Sequence, residues 1–134
     1  MSDWILKIDA ARLLPKRTFV IETDEELAHH LDDMAAHKEG SGMLIHQNKK
    51  YLQFGIQTDL GFCSFDPRST KQDYLWAFTD GQDSDEVIVF NVGNTETEIP
   101  KFRCLPWSLV KSIVVRFYRT GTLLESVWWD PDKG

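Results

Sequence analysis

His30, Asp33 and His37 recur at i, i+3 and i+7. On a helix that spacing turns two imidazoles and a carboxylate toward one another and could hold a divalent metal. A polar, solvent-facing helix side opposite Leu27, Leu31 and Met34 is the favoured reading, because no HExxH pair or second histidine-bearing helix completes a site. His29 and His46 read as surface or strand-edge residues. Cys63 falls inside a strand pattern. Cys104 falls just before a helix, where the dipole could lower a thiol pKa, but a nucleophile there would need a base, and no histidine lies near it in sequence. Asp80, Asp83, Asp85 and Glu86 alternate loosely as a calcium loop does, without the glycine and the closing glutamate of an EF-hand, so a solvated hairpin loop is the better reading. There is no phosphate-binding glycine loop, nucleophile elbow or dinucleotide fingerprint. Neither an enzyme nor a cofactor is indicated.

The elements that would position these residues are clearest near the C-terminus. Pro106 suits the first helical position. From there Leu109, Val110, Ile113, Val114, Phe117 and Tyr118 repeat at helical spacing, with Ser108, Lys111, Ser112, Arg116 and Arg119 opposite. Gly121 supplies a left-handed stop after Thr120. Leu123 to Trp129 then reads as a strand halted by Asp130 and Pro131. Earlier, Trp4 to Ile8 and Arg17 to Thr23 read as strands. Thr23 and Glu26 have capping-box spacing before a helix buried through Leu27, Leu31, Met34 and Ala35, with Gly40 and Gly42 ending it. Met43 to Gln47, Tyr51 to Thr58 and Gly61 to Phe65 form a meander whose short turns require antiparallel pairing. Gly55 and Gly61 read as strand-end or bulge positions. Tyr74 to Phe78, Val87 to Val92 and Thr95 to Ile99 complete the strands.

The pattern predicts an α+β fold: one domain over residues 1–134, with a mainly antiparallel sheet of about five to seven strands and two principal helices packed on one face. The other sheet face or an edge would stay open to a partner. Composition agrees with an ordinary globular chain, at 42% hydrophobic and 27% charged residues. No apolar run reaches a membrane span and the start shows no secretory cleavage pattern, so the chain is expected in the cytoplasm, with Cys63 and Cys104 reduced and buried. The net charge of −6 is laid out unevenly. Asp80, Asp83, Asp85, Glu86, Glu96 and Glu98 lie in a stretch without a base, whereas Lys101, Arg103, Lys111, Arg116 and Arg119 lie in one without an acid. A phosphate backbone demands a dominant basic face, so nucleic acid is excluded as a direct partner and a basic protein fits better.

Two landmarks resemble the first-numbered immunity-protein family of bacterial polymorphic toxin systems. One is the tail: Pro100, Pro106, the helix end at Phe117, Thr120 and Gly121, and the strand closing on Trp129. The other is YLQFGIQTDLGFCSFD, matched at Leu52, Gly55, Gly61, Phe65 and Asp66. The resemblance covers about residues 51–129. It implies a non-enzymatic cytosolic protein, monomeric when free, that binds and inhibits a cognate toxin domain by occluding its active site. A toxin that cuts or deaminates nucleic acid needs a basic cleft, which an acidic inhibitor reaches quickly.

The expected contact residues are Asp80, Asp83, Asp85 and Glu86, then Asp59 and Asp66 beside the glycine landmark. Trp76 is the first aromatic anchor, with Tyr74, Phe78 and Trp128 as further candidates, although each would also serve plain core packing. Two other readings compete. One is a small-molecule-binding or weakly catalytic α+β domain with a pocket between sheet and helices, Cys104 or His46 at its mouth. The other is a subunit whose exposed strand pairs with its own copy.

Overall fold

The computed structural model describes residues 3–9, 16–47, 50–66, 75–78, 86–92, 95–123 and 128–131. In chain order they form β1 (Trp4–Asp9), β2 (Arg17–Ile21), α1 (Asp24–His37), β3 (Glu39–His46), β4 (Tyr51–Gln57) and β5 (Leu60–Asp66). Then follow β6 (Leu75–Phe78), β7 (Val87–Val92), β8 (Thr95–Pro100), a 3₁₀ turn (Lys101–Arg103), β9 (Leu105–Pro106), α2 (Trp107–Thr120) and β10 (Trp128–Pro131). The large sheet runs β10-β6-β5-β4-β3-β1-β2, with the short β9 bridging to β5. Its pairings are antiparallel. The β7–β8 pair stands apart as a two-stranded sheet of its own. This is the α+β architecture that the strand and helix patterns predict, and among the described residues no helix is long and apolar enough to cross a membrane.

Both helices cover one face. Leu27, Leu31 and Met34 of α1 join Val110, Ile113, Val114 and Phe117 of α2 in a core with Leu6, Leu44, Leu52 and Phe54 from the central strands. Thr23 caps α1 as predicted, its hydroxyl oxygen accepting the Glu26 N–H at 3.2 Å. Two ion pairs tie the helices together in antiparallel order. Arg119, at the end of α2, holds Asp24 at the start of α1, and Lys111 Nζ donates to Asp32 Oδ1 at 2.7 Å.

The Arg119 hydrogen bond holds the Asp24 carboxyl below its usual range. The folded state thus favours the ionised form, and the resulting stability is present at neutral pH. It is lost as pH falls below the ordinary carboxylate range and through the depressed value. Urea midpoints of the wild type and Asp24→Asn should therefore differ at neutral pH and converge in acid.

Several boundaries differ from the sequence reading, each for a local reason. Helix α1 does not run to a glycine. Lys38 adopts the left-handed conformation at φ 58° and its N–H reaches the Ala35 and Met34 carbonyls, so β3 begins at once and Gly40 and Gly42 lie inside it. Gly42 is needed there for space, because a Cβ would sit 3.0 Å from the Phe54 ring. Pro106 is the cap before α2 and not its first residue; its ψ of 140° is extended, and it pairs with Leu60. Asp130 and Pro131 continue β10 opposite Trp76 and Leu75 of β6.

Gly55 and Gly61 occupy regular paired positions, not bulges. A Cβ on Gly55 would stand 2.4 Å from Phe62 Cε2. One on Gly61 would stand 2.8 Å from the Gly55 carbonyl oxygen and 2.9 Å from Val110 Cγ2, so the helix could not rest on the sheet. Gly61→Ala is expected to cost about 2–3 kcal/mol through this overpacking, read as a lowered urea midpoint.

The second sheet face is not left open at its centre. Phe62, pointing away from the helices, packs with Phe90 and Ile99 of the β7–β8 pair and with Cys104 in a smaller core. The Phe62 and Phe90 rings meet edge to face at 5.1 Å. Neighbouring β5 residues therefore feed two cores: Cys63 belongs to the helix side and Phe62 to the hairpin side.

Candidate partner-binding surface

The β7–β8 hairpin is built from two strands with different duties on their two faces. Ile88, Phe90 and Ile99 turn inward onto the sheet. Val87 and Val89 alternate with them and turn outward, 45% and 44% exposed. Across the ladder Val87 faces Pro100, Val89 faces Glu98 and Asn91 faces Glu96. The outer face thus combines two uncovered valines with two exposed carboxylates, and among the described residues neither Glu96 nor Glu98 forms an ion pair.

Glu86 stands at the base of this face. Its carboxylate accepts from Lys101 Nζ at 3.0 Å and its carbonyl from the Lys101 N–H at 2.9 Å, which fastens the hairpin's open end. Asp80, Asp83 and Asp85, together with Tyr74, lie outside the described residues. Asp59 and Asp66 stand at opposite ends of β5, one in the β4–β5 turn and the other at the strand's last position. The fold does not bring them together. Asp59 serves the helix instead, its carbonyl accepting the Trp107 N–H at 3.0 Å.

Trp76 is partly exposed and lies beside the hairpin's core. Its ring centroid is 5.8 Å from Phe62 and the Arg103 guanidinium sits 5.0 Å above it, while its indole Nε1 is buried and has no hydrogen-bond partner among the described residues. It therefore flanks the hairpin surface with a half-covered aromatic ring. Phe78 lies on β6 opposite Trp128 of β10, at the sheet's far edge.

The remaining candidates are occupied in ways that do not assemble a reactive centre. His30 stacks on Phe19 at 3.9 Å, and burial lowers its pKa. Asp33 pairs with Arg17 at 3.5 Å, and its carbonyl is 2.8 Å from His37 Nδ1. His46 lies against Trp4 at 4.6 Å. Cys63 and Cys104 are free and buried. Burial pushes the Cys63 thiol far up and the Cys104 thiol to about 11, outweighing for Cys104 the lowering by the Lys101 charge.

The pocket expected between sheet and helices is filled by Leu44, Leu52, Phe54, Ile113 and Val114. Among the described residues a shallow groove instead runs along the exposed side of α2, lined by Lys111, Val115, Arg116 and Arg119. Two of those cations are already held by Asp32 and Asp24.

Several of the landmark residues of the sequence meet at the helix-side core. Phe65 and Phe117 meet edge to face at 5.6 Å, Leu52 is fully buried, Gly61 lies beneath Val110, and Gly121 takes φ 70° to end α2. These positions define a scaffold, and of the hairpin's outer residues only Pro100 is among them. A family model described as immunity protein Imm1 matches residues 16–131, which span every element from β2 to β10. No curated protein matches the chain. The chain therefore belongs to the Imm1 family of immunity proteins.

Proposed function

We propose that this immunity protein works in the cytoplasm by binding, without catalysis, to one cognate polymorphic-toxin domain that acts on nucleic acid, and that it occludes that domain's active site with the outer face of β7–β8. The observation that carries this reading is that exposed Val87 and Val89 share one face with Glu96 and Glu98 on a hairpin that contains no base. Exposed valines next to carboxylates supply the two terms an inhibitor of a basic cleft requires. The acids raise the encounter rate and occupy phosphate positions, and the desolvated apolar groups slow dissociation. Asp80, Asp83 and Asp85, which precede Glu86 in sequence, add to the same charge, and Trp76 provides an aromatic anchor at the border. Asp66 and Asp59, at the two ends of β5, remain peripheral contacts.

Growth rescue tests the reading. Cells expressing the C-terminal domain of the toxin encoded beside this chain should arrest, and co-expression of the chain should restore growth. Arrest that persists at full expression of folded protein would reject it.

A further inference from the structure

The hydrogen-bond parity of the hairpin fixes which backbone groups point outward. Lys101 donates its N–H to the carbonyl of Glu86, directly opposite in the register. That makes Glu86 and Lys101 a hydrogen-bonded pair, and pairs alternate along an antiparallel ladder. Ile88 with Ile99 and Phe90 with Thr97 therefore exchange bonds across the hairpin. The N–H and C=O groups of Val87 and Val89 on β7, and of Glu96 and Glu98 on β8, face away from the partner strand. Among the described residues neither strand has a further neighbour in its sheet. Among the described residues no hydrogen bond reaches the outward backbone groups of Val87 or Val89.

The two free edges differ. The outer edge of β8 carries Glu96 and Glu98 and ends at Pro100, which has no N–H, so charge and proline guard it. The outer edge of β7 carries valine side chains that are 45% and 44% exposed, with donor and acceptor available at each. An unguarded apolar edge of this kind is a template for one more strand.

We infer that the cognate toxin domain docks by adding an extended strand to the outer edge of β7, pairing with the backbone of Val87 and Val89. The inference rests on the immunity reading above and names how the same surface is recognised. Apolar residues of the incoming strand meet Val87 and Val89 as cross-strand neighbours, and Lys or Arg side chains two residues further along, on that same face, reach across β7 to Glu98 and Glu96. Charge selects the occupant. A second copy of this chain would bring its own acidic hairpin, with Glu86, Glu96 and Glu98, against the first and be repelled, whereas a basic strand is attracted.

Amide hydrogen exchange, followed by NMR on the free chain and on its complex with the toxin C-terminal domain, tests the inference. In the free chain the Ile88 and Phe90 amides should be protected and the Val87 and Val89 amides should exchange fast. In the complex the latter two should slow by at least about tenfold. Val89→Pro removes an outward N–H and no bond within the hairpin, so the variant should fold and bind the toxin domain about tenfold or more weakly.

A complex in which the Val87 and Val89 amides exchange as in the free chain, with Val89→Pro binding as the wild type does, overturns strand addition and leaves the immunity reading standing. Protection of the same amides that grows with concentration of the chain alone assigns the edge to a second copy and also overturns it. Failure of any complex to form removes the immunity reading and strand addition together.

Discussion

A chain carrying Glu96→Lys and Glu98→Lys together is expected to associate with its toxin domain about tenfold to a hundredfold more slowly than the wild type at low ionic strength. Both side chains are exposed and neither is ion-paired among the described residues, so the substitutions should change stability by no more than about 0.5 kcal/mol. The double reversal turns two attractive charges into two repulsive ones on the same face as Val87 and Val89. Added salt should shrink the difference, since exposed charges are screened beyond about 10 Å at 0.1 M. Stopped-flow association at several salt concentrations measures both effects. Equal rates for the two proteins at low salt would remove the hairpin's acids from the encounter.

Phe117→Ala carries the largest expected cost to the fold. The ring is fully buried where α2 meets the sheet. It meets Trp4 of β1 at 5.2 Å and Phe65 of β5 at 5.6 Å, both edge to face. The Lys50 ammonium lies 5.6 Å from its centroid and donates to the Gly121 carbonyl at 2.8 Å, which closes the end of α2 over the ring. Truncation would leave a cavity bordered by groups from three parts of the chain, with an expected loss of about 3–5 kcal/mol. Domains of this size are stable by about 5–15 kcal/mol, so the variant should be close to unfolding at growth temperature. Urea denaturation gives the number, and a loss under about 1 kcal/mol would show that the ring is not the junction described.

The sequence made the helices legible because their signals are local. Thr23 caps α1, the apolar stripe of α2 runs from Val110 to Phe117, and Gly121 takes the left-handed stop, each within a few residues of the feature it sets. Strands were legible as strands, but their partners were not, because pairing is decided by contacts distant in sequence. Nothing in Val87 to Pro100 announces that this hairpin leaves the large sheet and lies on its second face. Trp128 to Pro131 likewise gives no sign that it pairs with β6. The glycines misled for a related reason. Gly42, Gly55 and Gly61 are required by neighbouring rings and by α2, which only the assembled fold brings near them.

For the site, the acidic run was visible as charge, whereas reading Val87 to Val92 as a strand did not say which of its residues emerge. Val87 to Phe90 is apolar at every position, and which of these residues emerge follows only from the assembled fold, because a two-stranded hairpin resting on a sheet can bury only one of its faces.

Titration calorimetry of the chain against the C-terminal domain of the neighbouring toxin, at low and at high salt, tests the central claim most directly. One-to-one binding in the nanomolar range that weakens as salt rises is the predicted result. Absence of binding heat, or an affinity that salt leaves unchanged, would contradict an acidic hairpin seated on a basic cleft.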